Sequence, residues 1–279
     1  MSQAHTAIED ITADAIRRLE GCSSPRLRDL TAGLIRHLHE FVREYRLSEA
    51  EWMTAIQFLT RTGQTCTEHR QEFILLSDVL AVSMVVDAVN HRADGAVTES
   101  TILGPFYDGK QPELPYGGSI LRRGEPSDPL LFEGIVTGEA GTPLAGAMLE
   151  VWQTAPNGMY DVQDGEQPQG HLRGTFRTDK DGRYSIRTIV PVSYPIPDDG
   201  PVGQLLAALG RHPYRPAHVH FMICAPDHER LITHLFIAGD KYLHSDAVFG
   251  VKQSLIVTPT MNDGVKHVRY DFALTGANG

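Results

Sequence analysis

At 279 residues, 41% hydrophobic and 22% charged, the chain is long enough for one large domain or two modest ones with their own cores. Its formal net charge of -10, without a concentrated Lys/Arg stripe, argues against nucleic-acid or anionic-membrane partners. Three scattered cysteines (Cys22, Cys66 and Cys224) in no CxxC or CxxH pattern support neither a disulfide framework nor a cysteine-rich zinc site. Met1-Ser2-Gln3-Ala4-His5 shows no basic region followed by an apolar one, and the apolar run from Val79 to Val89 is broken by Ser83 and Asp87. A cytoplasmic protein with reduced thiols and no membrane span is therefore expected.

In chain order, Ser24-Pro25 supplies an N-cap and a first-turn proline. Leu27, Leu30, Leu34, Leu38, Phe41 and Val42 then recur at three- and four-residue steps along one helix face. Ser48, with Glu49 and Glu51 behind it, opens another helix through Trp52, Ile56 and Leu59. A longer apolar helix is predicted from about Glu68 to His91, ending near Asp94-Gly95. After Gly104-Pro105 the texture changes to short β-rich runs between Gly, Pro, Asn and Asp, at 131–136, 148–153, 174–178, 184–190, 218–223, 233–237 and 254–257. Asp179-Lys180-Asp181-Gly182 is a tight turn between two of them. The class is α+β: a helical N-terminal region, residues 1–103, and an antiparallel β-sandwich, residues 104–279, that carries the site.

The segment Arg215-Pro216-Ala217-His218-Val219-His220-Phe221 sets two imidazoles two residues apart in an apolar run. On a strand, alternate side chains share a face, so the pair stands ~6–7 Å apart along the backbone, within reach of one metal ion. An H-x-H is also an ordinary strand feature, and a metal needs further ligands. No H-E-x-x-H occurs and no acidic residue sits beside the pair. Tyr160, after the Pro156-Asn157-Gly158 turn, and Tyr194, in the proline-rich stretch Val190 to Pro197, are candidates, although a tyrosine in either setting is more commonly a core or rim residue. A phenol has an ordinary pKa of ~10, so two phenolates at neutral pH require a strongly Lewis-acidic cation. Hard oxygen combined with imidazole suits Fe³⁺ better than Zn²⁺ or Cu⁺.

Several motifs in fixed order resemble the intradiol ring-cleaving dioxygenases: Leu103-Gly104-Pro105-Phe106-Tyr107, Glu150-Val151-Trp152-Gln153 through Tyr160-Asp161, Gly174 to Asp179, Val192 to Pro197, and Arg215 to Phe221. The resemblance covers nearly the whole chain. It implies one non-haem Fe³⁺ per subunit held by Tyr160, Tyr194, His218 and His220, with hydroxide as a fifth ligand. Tyr194 would give way when a 1,2-diol chelates the metal, and Arg215 would stabilise charge developing on the ring during attack by O2.

Within the family, His234 stands where catechol enzymes usually carry glutamine, so that glutamine's role is not carried over. The stretches Asp198 to Gly203 and Ser245 to Lys252 resemble the branch that cleaves hydroxyquinol (1,2,4-trihydroxybenzene). Asp78 matches a pocket position from which a carboxylate could accept a hydrogen bond from the third hydroxyl. Leu75, Leu103, Gly104, Pro105, Phe106, Pro195, Ile196, Pro197 and Val248 would complete the pocket. The expected product is 3-hydroxy-cis,cis-muconate, tautomerising to maleylacetate. Alternatives are a catechol or chlorocatechol 1,2-dioxygenase and, from another class, a non-catalytic β-sandwich binding module. The resemblance also implies a homodimer through the N-terminal helices, with an apolar tunnel able to hold lipid.

Overall fold

The computed structural model describes residues 3–67, 70–91, 95–109 and 111–277. The chain forms two compact units, Met1–Arg61 and Thr62–Gly279. The expected boundary at 103/104 falls in the stretch between the helix ending at Asn90 and the strand starting at Pro129, and the compact units divide within the third helix.

The first unit holds α1 (Gln3–Arg17), α2 (Pro25–Tyr45) and most of α3 (Glu49–Thr65). Ser24 caps α2, its hydroxyl accepting from the Leu27 N–H at 3.3 Å, and Pro25 follows in the first turn. Ser48 and Glu51 form a reciprocal capping box, the Glu51 carboxylate accepting the Ser48 N–H at 2.8 Å and the Ser48 hydroxyl accepting the Glu51 N–H at 3.3 Å. The apolar stripe of α2 is exposed from Leu27 to Val42, each of its members by 46% to 58%.

The second unit opens with α4 (Glu72–Val79) and α5 (Val82–Asn90). Where one long helix was expected there are two, because the Leu80 N–H turns back onto the Asp78 and Leu76 carbonyls and Ala81 enters the left-handed region at φ 61°. The break lets α4 bury Leu75, Asp78 and Val79 while α5 buries Met84 and Asp87. The proposed helix start at Glu68 and end at Asp94 lie outside the described residues.

The strands follow as β1 (Pro129–Gly138), β2 (Met148–Trp152), β3 (Arg173–Arg177), β4 (Arg183–Ile189), β5 (Tyr194–Pro195), β6 (Tyr214–Arg215), β7 (His218–Cys224), β8 (Leu231–Ile237), β9 (Ile256–Val257), β10 (Thr260–Asn262), β11 (Val265–Arg269) and β12 (Phe272–Leu274). One five-stranded sheet runs β10-β11-β1-β12 with β4 also on β1; the other runs β3-β2-β7-β8-β9. Most pairs are antiparallel, but β1 runs parallel to β11 and β12, and β8 to β9, so the sandwich is mixed rather than wholly antiparallel. The stretch 198–203 turns into α6 (Pro201–Ala208), whose Val202 N–H is accepted by the buried Glu72 carboxylate at 3.1 Å.

Phe132 of β1 and Ile186 of β4 join Val151 of β2 and Val219, Phe221 and Ile223 of β7 in one buried core. Phe132 and Phe221 meet edge to face at 5.6 Å. Period-two alternation then forces His218, His220 and Met222 onto the opposite face of the same sheet. The inner face of β7 belongs to the core, and its outer face carries the two histidines.

Candidate metal centre

On that outer face the Nε2 atoms of His218 and His220 lie 3.2 Å apart. Tyr160 arrives from a tight turn after β2, closed by the Gly158 N–H on the Ala155 carbonyl at 2.8 Å. Gly158 has φ 82°, and a Cβ there would sit 3.2 Å from that of Tyr194, so only glycine lets the turn press against its neighbour. Tyr194 is on β5, directly across the two-residue ladder from Arg215. The Tyr160 hydroxyl lies 3.1 Å from that of Tyr194 and 2.9 Å from His220 Nε2. Two phenol oxygens and two imidazole nitrogens thus converge, all four residues buried to within 4% exposure.

Hydrogen bonding decides which nitrogen atoms are free. His218 Nδ1 lies 2.7 Å from the Pro216 carbonyl, which only accepts, so Nδ1 carries the proton and Nε2 a lone pair. Burial holds His218, His220 and His234 well below the usual imidazole range, so all three are neutral. Burial also raises both phenols, Tyr160 well above and Tyr194 above the ordinary value. Imidazole nitrogens facing one another beside two crowded phenols, out of water, make a donor set that a cation of high charge relieves. The residues fit a ferric ion.

His234, across the β7–β8 register from His220, is not a fifth donor although its ring nitrogen lies within 4.8 Å of the other two. Its Nε2 is 2.8 Å from His220 Nδ1, and its Nδ1 is 2.6 Å from the Thr101 hydroxyl. Both nitrogens are therefore engaged, and His234 stands behind His220, fixing its tautomer. Trp152 stacks on the His220 ring at 4.7 Å and holds its plane.

Arg215 is buried and lies 3.2 Å from His218 Nε2 through Nη1. Its Nε and Nη2 donate to Asp246 at 3.2 and 3.4 Å. Burial opposes the guanidinium charge most strongly of any single cause, but Asp246 together with the Tyr194 and Tyr160 phenols outweighs it and the net direction is upward. The carboxylate is itself fixed by the Val248 and Gly250 N–H groups at 3.3 and 2.9 Å. Neither Asp246 nor the Thr101–His234 pair stands out as functional in the sequence, because strand register and a loop, not local spacing, bring them in.

A cavity of about 440 Å³ is lined by Leu75, Pro105, Phe106, Pro195, Ile196 and Pro197, six of the expected pocket residues, together with Met159 and Arg70. Phe106 stacks on Tyr160 at 4.8 Å, which ties the cavity wall to the donor cluster. The other four expected residues do not line it. Leu103 packs with Trp152, Tyr160 and Tyr194, and Val248 is buried with Leu75 and Ile196. Gly104, at φ 77°, brings its backbone so close that a Cβ would lie 3.3 Å from His220. Asp78 is buried, within electrostatic reach of Arg215 and Asp246, and burial raises its carboxyl above the usual range.

Residues 103–276 match the family described as Dioxygenase, and residues 24–98 match the catechol dioxygenase N terminus. The chain is 51% identical over 251 residues to a hydroxyquinol 1,2-dioxygenase of Rhizobium sp. (strain MTP-10005), covering 89% of this chain and 85% of that one. It is 50% identical over 266 residues to a 6-chlorohydroxyquinol 1,2-dioxygenase of Cupriavidus pinatubonensis, covering 95% and 96%. A crystal structure of hydroxyquinol 1,2-dioxygenase from Pseudomonas putida DLL-E4 matches with a TM-score of 0.92 at 47% identity, covering 98% of this chain and 99% of the other. The chain belongs to the intradiol ring-cleaving dioxygenases. It is an enzyme, and the reading as a non-catalytic sandwich falls away. No helix among the described residues is long and apolar enough to cross a membrane.

Proposed function

We propose that this enzyme cleaves hydroxyquinol between its adjacent hydroxyls with O2, giving 3-hydroxy-cis,cis-muconate and its tautomer maleylacetate. Tyr160, Tyr194, His218 and His220 hold the iron. The observation that carries this reading is the convergence of two buried phenols and two buried imidazoles within 3.2 Å steps of one another. The names of the relatives at about half identity support the substrate. When bound, Fe³⁺ supplies Lewis acidity and one-electron character to the diol.

The protein residues do the rest. Tyr194 is the proton acceptor for an incoming diol hydroxyl, because burial favours the protonated phenol once its oxygen is free of a metal. Arg215, locked by Asp246, holds a fixed positive charge beside His218, where negative charge on a bound ring would develop. Leu75, Pro105, Phe106, Ile196 and Pro197 keep the ring in an apolar slot and water out of it. Asp78 accepts the third hydroxyl of hydroxyquinol. Catechol has no such hydroxyl, and would leave the buried carboxylate with Ser83 and the Arg215 charge but one hydrogen bond fewer.

The enzyme works as a cytoplasmic homodimer through its N-terminal helices, an apolar tunnel there holding lipid. The exposed apolar stripe of α2 supports this part of the reading.

Oxygen uptake and product absorbance with hydroxyquinol, catechol and 4-chlorocatechol test the substrate. The highest kcat/KM is expected for hydroxyquinol. Faster turnover of catechol or chlorocatechol would transfer the assignment to that branch.

A further inference from the structure

One buried charge near the donor cluster has no part in the chemistry above. Arg173, the first residue of β3, is 0% exposed. Its Nε donates to Asp161 at 2.5 Å, but Nη1 is 3.8 Å from Asp108, beyond hydrogen-bond reach. Among the described residues neither Nη1 nor Nη2 has a hydrogen-bond partner. A guanidinium withdrawn from water with most of its N–H groups unmet is costly, and steadying Asp161 does not need it, because a neutral amide could donate the same single hydrogen bond. The other neighbour is the ring of Tyr160, whose centroid lies 5.7 Å from the guanidinium carbon, within the range of a cation–π contact. The opposite oxygen of Asp161 is turned away to the Gly170 N–H at 2.8 Å.

We propose that Arg173 is a positioning residue for the reaction, the buried counter-charge of Tyr160 when that phenol oxygen binds the ferric ion as a phenolate. An ionised ring is richer in electrons than a phenol, so it adds to the long Nη1–Asp108 ion pair a negative partner for N–H groups that make no hydrogen bond. The ion pair with Asp161 orients the guanidinium, and the charge lowers the energy of the Tyr160 donor electrons.

The proposal rests on the ligand assignment above, and the test separates the two. Iron-loaded protein carrying Tyr194→Phe leaves Tyr160 as the single phenolate, so its charge-transfer band reads that residue alone. In this background Asp161→Asn removes the negative partner and leaves the guanidinium, and the band is expected to move to shorter wavelength. Arg173→Met with Asp161→Asn removes both charges, and the band is expected to lie tens of nanometres to the long-wavelength side of the Asp161→Asn protein. Arg173→Lys, which keeps the charge, should stay close to the parent. A double variant whose band coincides with that of the Asp161→Asn protein, or lies to its short-wavelength side, overturns the counter-charge role. Should the double variant fail to fold, Arg173→Gln with Asp161→Asn, which removes the same two charges and keeps a polar side chain, takes its place with the same expectation. Iron-loaded protein of natural sequence without any such band would overturn the ligand assignment instead.

Discussion

His220 is held from three sides, by Trp152 on its face, by His234 behind Nδ1 and by the donor cluster in front of Nε2. Outer partners of this kind typically set ~10–100-fold in metal affinity. His234→Ala should therefore weaken iron binding by about that factor, while His234→Gln, which can still accept from Nδ1–H, should keep most of it. Metal titration of the two variants checks this, and equal affinities would remove His234 from the support of the site. Asp78 carries a second residue-scale expectation. Burial raises its carboxyl, so it takes up a proton at a higher pH than an exposed carboxylate, and a protonated acid is the poorer acceptor for the third hydroxyl. The preference for hydroxyquinol over catechol should thus decline as pH falls through that raised value. Asp78→Asn should flatten the profile; an unchanged pH dependence of the ratio would take Asp78 out of the selectivity.

The period-two pattern of 218–223 is enough to place both histidines on one face, because strand geometry alone dictates it. Tyr160 and Tyr194, 34 residues apart, are reached only through family resemblance, since their contact depends on the Gly158 turn and the β5–β6 ladder. Asp246 lies 31 residues beyond Arg215 and is brought to it by tertiary packing that no local spacing encodes. The break between α4 and α5 escapes the hydrophobic pattern, because an alanine in the left-handed region leaves no trace in periodicity. At this scale β7 is the strand to probe. Phe221, fully buried against Phe132, belongs to the inner face only, so Phe221→Ala should cost ~3–5 kcal/mol in unfolding free energy. Chemical denaturation measures it, and a loss under about 1 kcal/mol would contradict close packing of the two sheets.

Over the whole chain, composition and charge distinguish an acidic enzyme from a nucleic-acid binder, but do not fix its assembly. The exposed stripe of α2 is the feature that bears on assembly. Leu34→Glu with Leu38→Glu should turn a dimer into a monomer by light scattering, with the iron content unchanged. A protein of natural sequence that is already monomeric would remove the dimer, and organic extraction of the dimer without recovered lipid would remove the lipid-filled tunnel.

The visible spectrum of the iron-loaded protein, recorded without oxygen before and after adding hydroxyquinol, tests the central claim most directly. We expect a phenolate-to-Fe³⁺ band in the resting protein that shifts on adding hydroxyquinol and changes when Tyr194→Phe removes one phenolate. Iron-reconstituted protein that stays colourless, or a band indifferent to both the diol and Tyr194→Phe, would contradict the ferric centre built on Tyr160, Tyr194, His218 and His220.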